Sequence, residues 1–342
     1  MSWPYRAAVR TRNTLYDCGW KRVHRAAVPV VCVGNLSLGG TGKTPFVEYV
    51  ARFYRDLDVQ VAILSRGYGG ASGPNDEAMV LGENLPDVPH LENPDRVAGA
   101  NTAVEELEAE LLVLDDGFQH RRLHRDLDIV LIDATSPPHR DWVFPRGTLR
   151  EPARGLNRAG AIVLTRCDQV APERVDEIRS WLTARFPTKP VATTEHAPVE
   201  LIGGRSVEEL RGEKVAAFCG IGNPAAFRRT LESLGATATA FRTFPDHHAY
   251  TRADVDDLRA WAASHDVTAV VTTQKDWVKL RTPDLAGRPL WVVRIGVRFR
   301  DGEDALKDAL RKVSGWSATS FNQNGGTTGE DSDDTSDGVE SP

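Results

Sequence analysis

Short β-branched apolar runs alternate with stretches of helical periodicity through residues 28–194. The runs 28–33, 59–64, 111–114, 127–132 and 161–164 are almost continuously apolar, as in strands covered on both faces of a parallel sheet. Between the first two, Phe46, Val50, Phe53 and Leu57 recur at helical spacing. This strand–loop–helix–strand order predicts an α/β fold with a doubly wound parallel sheet. A Pro-containing stretch, 186–198, then reads as a divider. After it come apolar runs at 215–218, 267–271 and 290–295, and a helical pattern (Phe227, Leu231, Leu234) closed by Gly235. These predict a second, smaller α/β domain over 195–316. Residues 317–342, rich in Ser, Thr, Gly and Asp, have too little apolar surface to offset ordering entropy and read as a disordered acidic tail.

Of the 342 residues, 41% are hydrophobic and 26% charged, enough to build a sizeable core. The net charge of −6 is carried by the tail, whose six acids have no basic partner; the remainder is formally neutral. Bulk-charge binding of nucleic acid is therefore not expected. The four cysteines, Cys18, Cys32, Cys167 and Cys219, lack the spacing of a zinc site or a disulfide framework. No apolar run is long enough for a membrane span or a signal peptide, so a cytoplasmic location is expected. Residues 1–27 differ from the rest. Arg6, Arg10, Arg12, Lys21, Arg22 and Arg25 face one acid, Asp17, and are interleaved with Trp3, Tyr5, Val9, Leu15, Tyr16, Trp20 and Val23. This composition suits an amphipathic helix on an anionic membrane surface, though on the segment alone a solvated helix packed on the domain is the plainer reading.

The candidate chemistry starts behind the first strand, where Gly34-Asn-Leu-Ser-Leu-Gly-Gly-Thr-Gly-Lys-Thr44 precedes Pro45 and the amphipathic helix. Ser37 stands where the strict phosphate-loop pattern has its first glycine. Gly39, Gly40, Thr41 and Gly42 supply the flexible backbone that wraps phosphates, Lys43 the cation, and Thr44 a hydroxyl for Mg²⁺. A P-loop NTPase fold that binds a nucleoside triphosphate with Mg²⁺ follows. The strand 111–114 runs into Asp115 and Asp116, which places carboxylates beside the metal.

The run Asp115-Asp-Gly-Phe-Gln-His-Arg-Arg-Leu-His-Arg-Asp-Leu-Asp128 resembles the tetraacyldisaccharide 4′-kinases of lipid A biosynthesis. So do Leu64-Ser-Arg-Gly-Tyr-Gly-Gly70, Pro145-Arg-Gly-Thr-Leu-Arg-Glu-Pro152, Gly220-Ile-Gly-Asn-Pro224, Phe244-Pro-Asp-His247 and Thr273-Gln-Lys-Asp276. The resemblance implies transfer of the ATP γ-phosphate to the 4′-hydroxyl of a tetraacylated glucosamine disaccharide 1-phosphate, at a site between two α/β domains. It also implies peripheral attachment, through residues 1–27, to the cytoplasmic face of the inner membrane. By motif order, Asp76 and His247 act together in catalysis with Lys43; Thr44, Asp115, Asp116 and Glu151 belong to the metal environment; Gln119 joins the phosphate loop around the nucleotide; and Glu77, Arg96 and Arg150 face the substrate. By residue type alone, Asp76 reads as a turn former and His247 as a solvated loop side chain. The chain departs from the family's pattern in having only residues 71–75 between the Gly-Tyr-Gly-Gly and Asp-Glu motifs, with Asn75 in place of the usual glycine. Two other classes fit a P-loop: a small-molecule sugar kinase, and a nucleotide-gated switch ATPase of the partition or maturation kind. The switch proteins carry a lysine where this chain has Leu38.

Overall fold

The computed structural model describes residues 3–67, 76–203 and 205–313. The acidic tail and the shortened 71–75 stretch lie outside them. In chain order the elements are α1 (Trp3–Asp17), β1 (Val30–Asn35), α2 (Lys43–Arg55), β2 (Val61–Ser65), α3 (Asp76–Asn84), β3 (His90–Glu92), α4 (Arg96–Glu105), β4 (Leu111–Asp115), β5 (Leu127–Asp133), β6 (Ala161–Thr165), α5 (Pro172–Arg185) and β7 (Val191–Leu201). There follow β8 (Lys214–Cys219), α6 (Pro224–Ser233), β9 (Thr237–Thr243), α7 (Arg252–Ala263), β10 (Ala269–Thr273), α8 (Gln274–Leu280), β11 (Asp284–Leu285), β12 (Arg288–Asp301) and α9 (Glu303–Val313).

Strands β1, β2, β4, β5 and β6 are buried along their whole length, as their continuous apolar runs predict. Alternate residues feed opposite faces: Cys32 and Leu114 pack with α4 and α5, while Val33 and Val113 pack with α2 and α3. The strand order β3-β2-β4-β1-β5-β6-β7 is parallel throughout, and β12-β10-β8-β9 continues the same sheet, again parallel. The two series meet at one antiparallel seam, β7 against β12.

That seam corrects the expected divider. Residues 186–198 are largely β7, which runs straight through position 194/195. Its polar Thr193, Thr194, Glu195 and His196 hid the strand from an apolar pattern search. Nor does the region after 195 stay apart. The α9 residues Leu306 and Leu310 are buried in the same cluster as Phe46 and Val50, and the Tyr54 hydroxyl donates to Leu310 O at 2.8 Å. Across the seam the Arg294 guanidinium pairs with Glu48 of α2 and Glu200 of β7.

Candidate active site

The phosphate loop leaves the C-terminal end of β1, where the parallel sheet opens beside its neighbouring strands. Asn35, fully buried, donates from Nδ2 to Thr41 Oγ1 at 3.0 Å and ties the loop across its base. The Thr165 hydroxyl donates to Thr41 O at 2.9 Å and fixes it to β6. Gly42, at φ 81°, precedes α2 and has no room for a side chain: a Cβ there would lie 2.0 Å from His196 Nε2. Burial, reinforced by the Arg166 charge and opposed by Asp133, pushes His196 down to about 4, so a neutral imidazole backs the loop at neutral pH. Neither His196, on β7, nor Arg166, which follows β6 and pairs with Asp133, carries a local signal in the sequence, because both reach the loop from far along the chain.

Lys43 and Thr44 open α2, and both line a cavity of about 1510 Å³ with Gly39, Gly40, Asp115, Asp116 and Arg150. That volume exceeds the roughly 300–1,000 Å³ of a single-ligand pocket, leaving room for a nucleotide and a second large molecule. Asp116, at φ 53°, receives Arg150 Nη1 at 2.8 and 2.9 Å and Lys43 Nζ at 3.7 Å. Asp115 is only 8% exposed, and its Oδ1 has no hydrogen-bond partner. Burial, opposed by Lys43 and reinforced by Glu77 and Asp116, raises its carboxyl to about 7. An orphaned carboxylate oxygen and the Thr44 hydroxyl, both on the wall of the phosphate cavity, are a donor set that fits a phosphate-bound Mg²⁺.

Glu151 is placed differently from its expected metal role. It is 1% exposed, receives Arg158 at 2.8 and 3.0 Å, Gln119 Nε2 at 3.1 Å and Asn13 Nδ2 at 3.1 Å, and lies outside the cavity lining. Among the described residues no three His, Cys, Asp or Glu side chains converge as a metal cluster. Arginine neutralises this carboxylate, and Gln119, donating also to Asn35 O at 2.9 Å, couples it to the phosphate loop. Arg96 is buried behind the site and donates to Pro94 O, away from the cavity wall. Ser37 is bridged to Leu149.

The far wall comes from the second strand series. The α3 and α8 helices pack together and bring Asp76 and Glu77 to residues some 170 to 200 positions away. His247 Nδ1 lies 2.8 and 2.9 Å from the two Asp76 carboxylate oxygens, Lys279 Nζ lies 3.6 Å from Asp76, and Lys275 Nζ lies 3.2 Å from Glu77. Burial pushes the Asp76 carboxyl up, but the hydrogen bond and charge of His247 with the charge of Lys279 outweigh it and hold it below the usual range. His247 adopts a left-handed backbone, φ 59°, a conformation found disproportionately at functional sites. The neighbouring His248 is engaged elsewhere, stacked on Phe244 and 3.3 Å from Asp254.

Asp276 organises this wall from inside. Completely buried, it accepts from Gly220 N, the Tyr250 hydroxyl and the Thr273 hydroxyl, and lies 3.9 Å from Lys279. The sequence motif around residues 273–276 thus positions Lys279, a residue the motif itself did not reveal.

Helix α1 docks on the Arg150–Gln119–Glu151 cluster of the phosphate side. Tyr5 donates to Arg150 O at 3.1 Å, Arg12 to Gln119 O, and Asn13 to Glu151, while Arg121 donates to Asn13 O and pairs with Asp17. Arg6 and Arg10 remain exposed on its outer side. Among the described residues no helix is long and apolar enough to cross a membrane.

The family model for tetraacyldisaccharide-1-P 4′-kinases matches residues 1–314. A tetraacyldisaccharide 4′-kinase of Anaeromyxobacter dehalogenans strain 2CP-C is 43% identical over 332 residues, covering 90% of this chain and 87% of that relative. The corresponding protein of Syntrophus aciditrophicus is 37% identical, covering 86% and 87%. The solved structure of LpxK from Aquifex aeolicus in complex with ATP superposes with a TM-score of 0.75 at 32% identity, over 91% of this chain and 96% of that one.

Proposed function

The chain belongs to the tetraacyldisaccharide-1-P 4′-kinase family, and from that premise we propose how its residues divide the reaction. It is a P-loop α/β enzyme, an ATP-dependent lipid A 4′-kinase that transfers the γ-phosphate to the 4′-hydroxyl of the tetraacylated disaccharide 1-phosphate. Family membership leaves no ground for the switch-ATPase alternative.

In our reading the phosphate half, β1 to β7 with α9, grips the nucleotide, and the half carrying His247 and Lys279 closes over it. The loop amides of residues 39–44 and the Lys43 ammonium hold the β- and γ-phosphates. The Thr44 hydroxyl and Asp115 would hold the Mg²⁺ that accompanies ATP, which would supply charge neutralisation at the phosphates. Arg150 fixes Asp116 beside Lys43, and Glu151 orients Gln119.

The Asp76–His247 dyad takes the proton of the attacking sugar hydroxyl. The supporting observation is its geometry: a half-buried carboxylate and an imidazole from opposite walls, 2.8 Å apart, beside the phosphate cavity. Lys279 keeps Asp76 ionised, so Asp76 can accept from the imidazole Nδ1–H and present the ring to the substrate in one orientation. Glu77, with Lys275, faces the acceptor side of the cleft. Residues 1–27 lie on the anionic cytoplasmic surface of the membrane, with Arg6 and Arg10 turned toward lipid. One assay tests this reading: purified protein, ATP, Mg²⁺ and the lipid disaccharide 1-phosphate, with the product phosphate located by mass spectrometry. Phosphorylation at the 4′ position by wild type, and its loss in Asp76→Asn with ATP binding intact, is the expected result. Full turnover by Asp76→Asn would remove the dyad from the mechanism.

A further inference from the structure

Tyr5, Leu38, Trp142 and Phe144, four large apolar side chains left in solvent, come from segments that meet beside the phosphate loop. Tyr5 meets Phe144 edge-on with ring centroids 5.6 Å apart. Leu38 N donates to Thr148 O at 2.7 Å, and Leu149 N donates to Trp142 O at 3.0 Å, which joins the phosphate loop to residues 142–149. Leu38 immediately precedes the cavity-lining Gly39 and Gly40.

The exposure is built in. Along residues 142–144 the side chains alternate: Val143 is buried in the core while Trp142 and Phe144, on either side of it, stand 51% and 44% exposed. The turn that presents them is held from within by Asp141, whose carboxylate accepts from Trp142 N at 2.6 Å and from Thr148 N at 3.1 Å. Gly147 permits the close approach, since a Cβ there would lie 2.4 Å from Trp142 O. Asp141 is thus turned into the backbone, and the charge facing outward is basic. Arg146 lies over the Trp142 ring at 3.6 Å, and Arg6 and Arg10, one helical turn apart on α1, are exposed. A contiguous aromatic patch with a basic fringe is the surface that sits at a lipid–water interface.

We propose that the hairpin tip Trp142–Arg146, with Tyr5 and Leu38, inserts into the interfacial layer of an anionic bilayer and holds the mouth of the cavity against it. The proposal rests on the lipid-kinase reading and sharpens the attachment assigned to residues 1–27. The acceptor's acyl chains stay in the bilayer, so its sugar is reached only if the rim beside the phosphate loop touches the membrane. Attachment through the basic face of α1 alone leaves that orientation open; a second, aromatic contact beside Leu38 fixes it.

The test uses the full chain and vesicles of phosphatidylcholine doped with phosphatidylglycerol. The double variant Trp142→Ala/Phe144→Ala is expected to lower vesicle affinity by about tenfold and to raise KM for the vesicle-embedded acceptor, with ATP affinity and melting temperature unchanged. Trp142→Phe, which keeps an aromatic ring, should retain most of the binding. In parallel, Arg6→Gln/Arg10→Gln should weaken only the salt-sensitive part. If the aromatic double variant binds vesicles like wild type while the arginine variant does not, the hairpin proposal fails and attachment through α1 stands. If neither variant loses affinity, both fail. Loss of activity in cells with unchanged vesicle binding would assign the patch to a protein partner and likewise overturn the proposal.

Discussion

The two walls of the cleft hold their polar groups in different ways. In the phosphate half, Thr44 is 5% exposed, Lys43 shares Asp116 with Arg150, and the loop is pinned by Asn35, Thr165 and the wall of His196. In the closing half, His247 sits on a left-handed backbone with its side chain 58% exposed, and its side-chain partners are Asp76 and the neighbouring Asp246. One wall is preorganised by its own fold; the other completes its key contact only against α3. Phosphate binding needs fixed dipoles and charges, which a buried loop supplies. Taking a proton from an alcohol needs a basic group that can meet an incoming substrate, and that favours a partly exposed side chain.

The contrast makes graded predictions. Lys43→Ala should have the largest effect, lowering kcat/KM by roughly 10³–10⁵ and weakening ATP binding, because a cation on the transferred phosphoryl group is removed. Calorimetry showing unchanged ATP affinity would break the assignment of binding to this wall. Asp76→Asn should follow, lowering kcat by roughly 10²–10⁴ with ATP affinity intact, so that binding and chemistry separate.

A smaller effect is expected at Lys279, which helps hold Asp76 below its usual range. Removing the cation in Lys279→Met should raise the Asp76 pKa, so the acid limb of the kcat/KM profile moves to higher pH while the plateau is retained. A limb that stays in place would mean Lys279 does not tune the dyad. The sign for stability is the same. The depressed Asp76 contributes stability that is fully present above its unfolded pKa and lost as pH falls through its folded value. Smallest for catalysis is Arg294→Met at the seam. It removes one partner of Glu48, which is 7% exposed and keeps Arg52 at 2.9 Å and Asn84 Nδ2 at 2.8 Å, and should cost about 1.5 kcal/mol in urea denaturation with little change in kcat.

The phosphate wall was largely legible in the sequence because its chemistry is local. Residues 39–44 follow one strand and begin one helix, and Asp115 ends the neighbouring strand. The closing wall was legible only as separate motifs. Nothing in the spacing of Asp76 and His247 announces a 2.8 Å contact, and Lys279 joins them only because α8 packs on α3. Strand β7 escaped the pattern because its center is polar, with Thr193 and Thr194 buried yet hydroxyl-bearing. Glu151 entered the metal set by motif resemblance alone, and in the structure Arg158 and Asn13 occupy its carboxylate.

The central claim, that Asp76 and His247 work as one unit across the cleft, is tested most directly by a double-mutant cycle on the single-turnover rate with ATP saturating. Asp76→Asn, His247→Ala and the double variant are measured against wild type under identical conditions. The account predicts that the double variant loses about as much as either single variant, because groups that act together are strongly non-additive. Losses that multiply would show two independent contributions and contradict it.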